Sequence, residues 1–282
     1  MDTGLLQAEP AGPAREGPLI VGRTTSPARL ANVGTLTTSA AHERFRQAFP
    51  EYETTGAIDE LRARDYGRLD AAGHVYLDYT GGGLYAVSQL RRHFELLEGG
   101  VFGNPHSHNP SSSAMTELVE QTRRRVLAYF NAPADEYVAI FTANASHALK
   151  LVGESYPFAP GGRYLLTFDN HNSVNGIREF ARSKGAAIRY APLALPDMRV
   201  DEATLGNFFA QGGKGADNLF AFPAQSNFSG VQHPLEWIAR AQEQGWDVLV
   251  DAAAFVPTNR LDIARWKPDF VPVSFYKMFG YP

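Results

Sequence analysis

The sequence predicts an α/β protein with a mostly parallel sheet that is covered by helices on both faces. From about residue 137 onward, short apolar runs alternate with segments of helical periodicity. Repeated strand–helix–strand units form parallel sheets, because the chain crosses over through a helix between neighbouring strands. Polar side chains follow several of the apolar runs, at the end of the sheet where such folds bind ligands.

The first part of the chain contributes mainly helices before this alternation begins. Residues 1–38 are rich in Ala, Pro, Gly, Thr and Arg, and we expect a mobile tail there. Residues 39–100 are interpreted as a helical segment that leads into a large domain of residues 101–282. Helices are predicted at 41–49, 58–66 and 88–97, with a short strand at 75–78.

The large domain supplies the remaining elements. A turn-rich loop carries His106 and His108, but no third metal ligand lies at a useful spacing, so we interpret it as a structural loop and predict no metal site. Strands are predicted at 137–141, 163–168, 187–190, 218–222, 247–250 and 270–273. Helices are predicted at 115–130, 146–155, 174–184, 202–210 and 234–244, with a short turn at 261–266.

The composition argues against several functional classes. The chain has 282 residues, of which 44% are hydrophobic and 20% charged, which is enough for a large packed domain. A net charge of −4 argues against a nucleic-acid partner. The sequence lacks a long apolar run and an N-terminal apolar signal segment, so we expect no membrane span and a cytoplasmic protein. The absence of cysteine excludes disulfides, thiolate metal sites and a cysteine nucleophile within these residues.

One strand end has the features of an anion site. The strand predicted at 137–141 ends in Thr142-Ala-Asn-Ala-Ser146, and a helix begins at once. Small residues before a helix expose backbone N–H groups at the positive end of its dipole, where phosphate binds well. Ser146 acting only as a helix cap is the simpler alternative, and the two roles are compatible.

Two further strand ends carry charged groups. Asp251 follows a buried strand, where a carboxylate needs a partner; a protonated ring nitrogen, a helix cap or a salt bridge would each supply one. Lys277 follows the run 270–273, and a desolvated lysine there can form a Schiff base with a carbonyl compound. A solvated turn residue is the alternative for this lysine.

The remaining polar candidates are His171 and Asn227. His171 suits stacking on an aromatic ring or acid–base chemistry, or it is only a polar neighbour of a helix start. Asn227, with nearby Gln225, offers amide hydrogen bonds, although a plain loop explains both nearly as well. An anion site, a stacking group, an amide, a carboxylate and an amine are together what pyridoxal 5′-phosphate (PLP) requires.

Seven motifs in residues 75–282 resemble those of class V aminotransferase-fold enzymes, and in particular the N-terminal, desulfurase-like domain of molybdenum cofactor sulfurases. In chain order they are Val75-Tyr-Leu-Asp-Tyr-Thr-Gly81, Phe102-Gly-Asn-Pro-His-Ser107, Ile140-Phe-Thr-Ala-Asn-Ala-Ser146, Leu149-Lys-Leu-Val152, Ser226-Asn-Phe-Ser-Gly230, Val250-Asp-Ala-Ala253 and Ser274-Phe-Tyr-Lys-Met-Phe-Gly280. The resemblance implies the large domain of fold type I, a PLP cofactor, an amino-acid substrate with L-cysteine as a candidate, and a homodimer with sites near its interface.

The resemblance also implies roles by motif position. Lys277 matches the Schiff-base lysine, Asp251 the partner of the pyridinium nitrogen, and His171 the ring-stacking histidine, so Lys277 and His171 are the catalytic candidates. Asn227 matches the asparagine near the ring hydroxyl and the substrate. The positions that match phosphate contacts are Ala145, Ser146 and Ser274.

Some features depart from the family pattern. Ala254, Tyr276 and His147 stand where desulfurases commonly have Gln, His and Glu. The sequence ends five residues beyond Lys277 (282 minus 277), whereas the resemblance implies a further antiparallel strand and a small domain that carries a substrate-binding arginine and a persulfide-forming cysteine. We therefore expect the C-terminal part of the fold to be missing here, with a gap in the core between the first and last strands of the alternating series.

The expected function is PLP-dependent sulfur transfer of the cysteine desulfurase type, performed by a longer protein. A lyase, epimerase or aminotransferase that uses the same cofactor is the alternative enzyme, and a non-catalytic remnant is the alternative outside enzymology. We expect residues 1–282 alone to be inactive.

Overall fold

A computed structural model describes residues 38–213 and 215–281 of the chain. The expectation of a mobile tail over residues 1–38 lies outside the described residues, except that Thr38 begins the first helix. The chain divides into two compact units, Met1–Gly56 and Ala57–Pro282. The domain boundaries predicted near residues 38 and 100 stay predictions.

The described part of the first unit is helical. Helix α1 covers Thr38–Ala48 and is followed by a 3₁₀ helix at Pro50–Thr55. Pro50 suits the first position of a helix, because its fixed φ and missing N–H cost nothing there. The ring of Phe45 lies 5.1 Å from the rings of Phe49 and Tyr52, centroid to centroid, so the two helices share an aromatic contact.

The second unit is built on a parallel sheet, as predicted. The strands described are β1 Arg163–Thr167, β2 Ala187–Ala191, β3 Leu193–Ala194, β4 Arg199–Val200, β5 Asn218–Pro223 and β6 Asp247–Asp251. Four of them form a parallel sheet in the order β2–β1–β5–β6, and β3 pairs with β4 as an antiparallel hairpin. The predicted strands 163–168, 187–190, 218–222 and 247–250 are thus confirmed to within one residue at their ends.

Helices pack on both faces of this sheet. The helices from residue 56 onward are α2 Gly56–Tyr66, α3 Arg68–Ala71, α4 Val87–Gly99, α5 Pro110–Tyr129, α6 Ala145–Ser155, α7 Asn172–Asn175, α8 Ile177–Ser183, α9 Glu202–Phe209, α10 Trp237–Gln242, α11 Ile263–Trp266 and α12 Phe275–Phe279. Leu165 and Phe220 join a core with residues of α5, α9 and α10, while Leu166 and Ala221 join a second core with residues of α6 and α8. Successive side chains of a strand point to opposite faces, so each central strand feeds both cores.

Several helix ends differ from prediction because local capping decides them. Helix α5 begins at Pro110 rather than near residue 115, since the backbone N–H of Ser112 donates to the side chain of Asn109 (2.9 Å). The helix predicted at 174–184 is two helices, α7 and α8, that meet at Gly176. Helix α10 is shorter than the predicted 234–244, and the short turn predicted at 261–266 contains the one-turn helix α11.

The strands predicted at 75–78, 137–141 and 270–273 are wrong. The first two join no ladder among the described residues, and the third makes only an isolated bridge between Phe270 and Leu249. Val138 and Ile140 are 71% and 61% exposed, so this apolar run lacks neighbours on its faces. A strand needs a partner for its backbone groups, and an apolar sequence alone does not supply one.

A cavity of about 560 Å³ lies between segments 137–142 and 268–273. This is the position at which the family resemblance places a gap in the core. Phe270 and Pro272 still accept backbone hydrogen bonds from Val250 (2.9 Å) and Ala252 (3.2 Å), so the later segment stays beside β6. Within the described residues, no helix is both long and apolar enough to cross a membrane.

Candidate cofactor site

The seven predicted site residues line one cavity of about 310 Å³. Pro223 and Asp251, the last residues of β5 and β6, are part of its lining, so the cavity opens at the carboxyl end of the sheet. The residues of the predicted site in this lining are Ala145, Ser146, His171, Asn227, Asp251, Ser274 and Lys277.

Lys277 lies on a short helix, α12, rather than directly after a strand as predicted. Its side chain is half-buried. A turn containing Gly83 packs against this helix, and the N–H of Gly83 donates to the carbonyl of Tyr276 (3.1 Å). A Cβ at Gly83 would lie 2.8 Å from the carbonyl oxygen of Lys277, so only glycine allows the turn to approach this closely. The turn therefore fixes the backbone that carries the amine.

Asp251 is a buried acid at the edge of the cavity. Its Oδ1 accepts a hydrogen bond from the backbone N–H of Ala253 (3.0 Å). Burial raises the pKa of the Asp251 carboxyl, while the Ala253 N–H and the nearby charges of His171 and Lys277 oppose that rise. A carboxyl in this position favours a cationic ligand group, such as a protonated ring nitrogen.

The predicted anion site lies where α6 begins. The side chain of Asn144 accepts a hydrogen bond from the N–H of His147 (2.9 Å) and caps the helix. The alternative that Ser146 serves as the cap is therefore wrong. The Ser146 hydroxyl instead lies 2.6 Å from the hydroxyl of Ser173, and both serines line the cavity. Two hydroxyls beside a helix N-terminus suit a phosphate group.

A hydrogen bond from the nearby backbone orients the ring of His171. The N–H of Ser173 donates to the ring Nδ1 of His171 (3.2 Å), and His171 is the N-cap of α7. Because Nδ1 accepts, the neutral ring carries its proton on Nε2. The ring is exposed and borders the cavity, so one of its faces is available to stack on a bound aromatic ring.

Ser274 and Asn227 complete the lining. Ser274 is buried at the N-cap position of α12, but its side chain does not cap that helix, so the hydroxyl is available to a ligand. Asn227 is exposed in the loop after β5. An isolated bridge between Gln225 and Gln232 closes this loop, and Gly230 takes the positive φ of 75° that the turn requires.

These groups fit PLP. The hydroxyl pair at the α6 terminus suits its phosphate, the buried acid suits a protonated pyridine nitrogen, and the amine of Lys277 suits its carbonyl carbon. The departures Ala254 and Tyr276 also line the cavity, where they supply a methyl group and an aromatic ring. The donor set does not suit a metal: among residues 38–213 and 215–281 no three His, Asp or Glu side chains cluster.

Three residues near the site, Ser173, Asp169 and His233, were not predicted from the sequence. Ser173 reaches the cavity only because the turn after β1 folds back on the start of α6. Asp169 and His233 form a buried pair outside the cavity lining, and they are 64 positions apart in the sequence. The sequence offers one signal that Ser173 belongs to the site, namely its position two residues after His171. No sequence pattern pairs Asp169 with His233.

Comparison with known protein families identifies the class of protein to which this fold and cavity belong. Residues 75–282 match the sequence profile of the family Aminotransferase class-V. The chain belongs to this family.

Curated relatives narrow the comparison. The chain is 42% identical to the molybdenum cofactor sulfurase of Bos taurus over 246 residues, which cover 80% of this chain and 27% of the relative. It is 37% identical to the molybdenum cofactor sulfurase of Solanum lycopersicum over 273 residues, which cover 85% of this chain and 33% of the relative. The chain thus spans a third or less of the length of these relatives.

Solved structures share the fold. The apo cysteine desulfurase from Thermococcus onnurineus NA1 superposes with a TM-score of 0.67 at 23% identity, covering 78% of this chain and 53% of that one. The cysteine desulfurase CsdA from Escherichia coli gives a TM-score of 0.63 at 22% identity and covers 78% of this chain and 55% of that one. A lysine-to-alanine mutant of C-DES, described with glycine covalently linked to its PLP cofactor, gives 0.63 at 21% identity, with 78% and 57% covered.

Proposed function

We propose that the full protein uses PLP to remove sulfur from an amino acid, with L-cysteine as the substrate, and passes the sulfur to an acceptor. The observation that carries this proposal is the single cavity at the carboxyl end of the sheet that holds Lys277, Asp251, His171 and the α6 terminus together. The family and the molybdenum cofactor sulfurases among its relatives support the choice of reaction.

Different residues of the cavity would bind different parts of the cofactor. Ser146 and Ser173, with Ala145 at the first turn of α6 and the hydroxyl of Ser274, would hold the phosphate. His171 would stack on the ring, and Asn227 would bind its polar substituents. When bound, PLP supplies a carbonyl carbon for covalent attachment of an amine and a ring that accepts electrons from the reacting carbon.

Lys277 and Asp251 control the protons. With PLP bound, the amine of Lys277 would hold the cofactor through its carbonyl carbon, and it would be the base placed to take a proton from the substrate α-carbon. Asp251 would pair with a protonated ring nitrogen, and burial would strengthen that pair because little water screens it. His171 donates no proton through Nδ1, which already accepts from Ser173.

The sulfur needs an acceptor outside the 282 residues. The C–S bond of cysteine breaks, the sulfur joins a thiol as a persulfide, and the remaining carbon skeleton leaves as alanine, so atoms and electrons balance without an added oxidant. The chain contains no cysteine that could be this thiol. The acceptor is therefore a thiol from another part of the protein, a partner or a small molecule.

The test uses the full protein incubated with PLP, L-cysteine and a thiol. We expect a visible absorption band from bound cofactor, and alanine and reducible sulfur in equal amounts. A protein that binds PLP but releases pyruvate, racemised amino acid or a transaminated product in place of alanine would support the lyase, epimerase or aminotransferase alternatives. A protein that binds no PLP would contradict the proposal as a whole.

A homodimer is also part of the proposed function. Its support is the family resemblance, so the association state needs its own measurement. Light scattering on the full protein should give twice the mass of one chain, and a mass of one chain would remove this part of the proposal.

A further inference from the structure

A buried aspartate–histidine pair lies close to the cofactor cavity without lining it. The Nε2 of His233 lies 2.8 Å from the Oδ2 of Asp169, and the two side chains are 2% and 1% exposed. Burial alone would raise the pKa of the Asp169 carboxyl, but the hydrogen bond and charge of His233, together with hydrogen bonds from the Thr167 side chain and the Asp169 backbone, hold that pKa below its usual value. The ring of His233 also stacks on Trp237, with centroids 4.9 Å apart.

The pair joins the two loops that carry His171 and Asn227. Asp169 lies in the turn after β1, two residues before His171, and its carbonyl accepts a bond from the hydroxyl of Ser226 (3.5 Å). The backbone N–H of His233 donates to the carbonyl of Ala224 (3.1 Å), which holds the far end of the loop that contains Asn227. Movement of either loop therefore strains the contact between Asp169 and His233.

A purely structural role does not require this chemistry. A buried polar pair often stabilises a fold no more than apolar residues of similar volume, because its desolvation offsets its attraction. What a directional, charge-assisted hydrogen bond adds is a fixed geometry between the two groups that it joins. That geometry is useful here because one loop presents a ring-stacking imidazole and the other an amide to the same cavity.

We infer that Asp169 and His233 are positioning residues that set the orientation of His171 and Asn227 toward the bound cofactor. The inference rests on the proposed function, because it assigns the pair to the PLP site. Neither residue touches the cavity, so the pair acts through the two loops.

The test compares Asp169→Asn with Tyr156→Phe in the full protein. Asp169→Asn keeps the shape of the side chain and removes its charge. Tyr156→Phe removes a partly buried hydrogen bond, from the Tyr156 hydroxyl to Asp247 (2.8 Å), at the opposite end of the sheet. The dissociation constant for PLP is measured by absorbance titration, and the visible circular dichroism per bound cofactor reports how the ring is held. Melting temperature monitors stability in each variant.

We expect Asp169→Asn to weaken PLP binding about tenfold and to change the visible circular dichroism of the bound cofactor. Tyr156→Phe should lower the melting temperature while both cofactor readouts stay at their wild-type values. Wild-type values for Asp169→Asn would overturn the inference and leave the proposed function standing. A change in cofactor readouts that tracks melting temperature equally in both variants would overturn it as well. A wild-type protein that binds no PLP would overturn both.

Two substitutions at His233 keep the inference testable if Asp169→Asn does not fold. His233→Gln retains an N–H that can donate to Asp169, whereas His233→Ala does not. We expect the glutamine variant to recover most of the PLP affinity that the alanine variant loses. Equal dissociation constants for the two variants would overturn the inference.

Discussion

The two ends of the parallel sheet both carry polar groups, but those groups find their hydrogen-bond partners differently. At the amino end, Oδ2 of Asp269 accepts hydrogen bonds from the N–H of Val248 (2.7 Å) and the side chain of Gln242 (3.0 Å). The amide of Asn218 donates to three backbone carbonyls at distances of 3.1 to 3.3 Å. At the carboxyl end, Asp251 accepts the single bond from Ala253 among the described residues, and the rest of its carboxyl faces the cavity.

This difference shows that a raised carboxyl pKa alone does not mark a site. Burial raises the pKa of Asp251, and partial burial raises that of Asp269, which remains exposed to solvent. Asp269 uses its Oδ2 on the chain itself and so holds the first residues of β6 in place. Asp251 is buried and keeps acceptor capacity that the chain does not use, which a ligand can satisfy. The informative property is unused capacity that borders the cofactor cavity, because the buried Oδ1 of Asn218 at the amino end also lacks a partner but does not line that cavity.

The largest predicted effect comes from Asp251→Asn. Loss of the charge beside the ring nitrogen should lower kcat/KM for alanine release roughly 100-fold, the usual order for removing one preorganised electrostatic contact. Steady-state kinetics at saturating PLP measure it. The matched substitution at the amino end, Asp269→Asn, should leave kcat/KM within about twofold of wild type. Equal losses for the two variants would erase the distinction between the two ends.

The same Asp251→Asn change should stabilise the cofactor-free protein at neutral pH. The folded pKa of Asp251 is raised, so the folded state binds more protons than the unfolded state between the two pKa values. The free energy of unfolding therefore falls as pH rises from the ordinary pKa of Asp through the raised pKa of Asp251. Asn does not ionise, so the variant keeps that free energy. We expect a gain of about 1 kcal/mol, or roughly 2–4 °C in Tm, above this window. A lower Tm for Asp251→Asn at pH 7 would contradict the account of this acid.

Gly83→Ala tests how the carboxyl end positions its amine. The added methyl group would lie 2.8 Å from the carbonyl of Lys277, so the turn or α12 must shift. We expect about 1–3 kcal/mol of destabilisation together with weaker PLP binding, measured by thermal melts and absorbance titration. Gly99→Ala is the control, because a Cβ there meets no atom within 4 Å. Unchanged PLP affinity in Gly83→Ala would show that the turn does not position Lys277.

At the amino end, Asp269→Ala should lower the free energy of unfolding and leave the affinity for PLP unchanged. The N–H of Val248 loses its side-chain acceptor inside the protein, which costs about 1–3 kcal/mol. Urea unfolding measures the loss, and a PLP titration below the unfolding transition should give the wild-type dissociation constant. A weakened PLP affinity in this variant would mean that the two ends are coupled.

Ser173→Ala gives a small predicted effect, confined to the phosphate end of the cofactor. One hydroxyl of the pair with Ser146 disappears, while Ser146 and the α6 terminus remain. We expect PLP affinity to fall about tenfold or less, since a hydrogen bond to a charged group contributes about 1.5 kcal/mol. Pyridoxal without its phosphate should bind the variant and the wild type equally. A loss of pyridoxal affinity of the same size would place Ser173 away from the phosphate.

The sequence predicted the paired part of the fold and the residues of the cavity. Strands such as 218–222 and 247–250 are buried on both faces, so their sequences are continuous apolar runs that clearly predict strands. Asp251 and Lys277 follow apolar runs that end at the same edge of the sheet, which is why their convergence was predictable. The run 137–141 has the same local pattern, but whether it pairs depends on a neighbouring strand. Ser173 and His233 act through tertiary contacts that leave no local pattern.

The most direct test of the account asks where the cofactor attaches. The full protein is incubated with PLP, reduced with borohydride and digested, and the modified peptide is identified by mass spectrometry. The account predicts one modified residue, Lys277, and a strong reduction in labelling when Asp251→Ala removes the acid that should face the same ring. Labelling at Lys150, Lys184 or Lys267, or labelling of Lys277 that ignores the loss of Asp251, would contradict it.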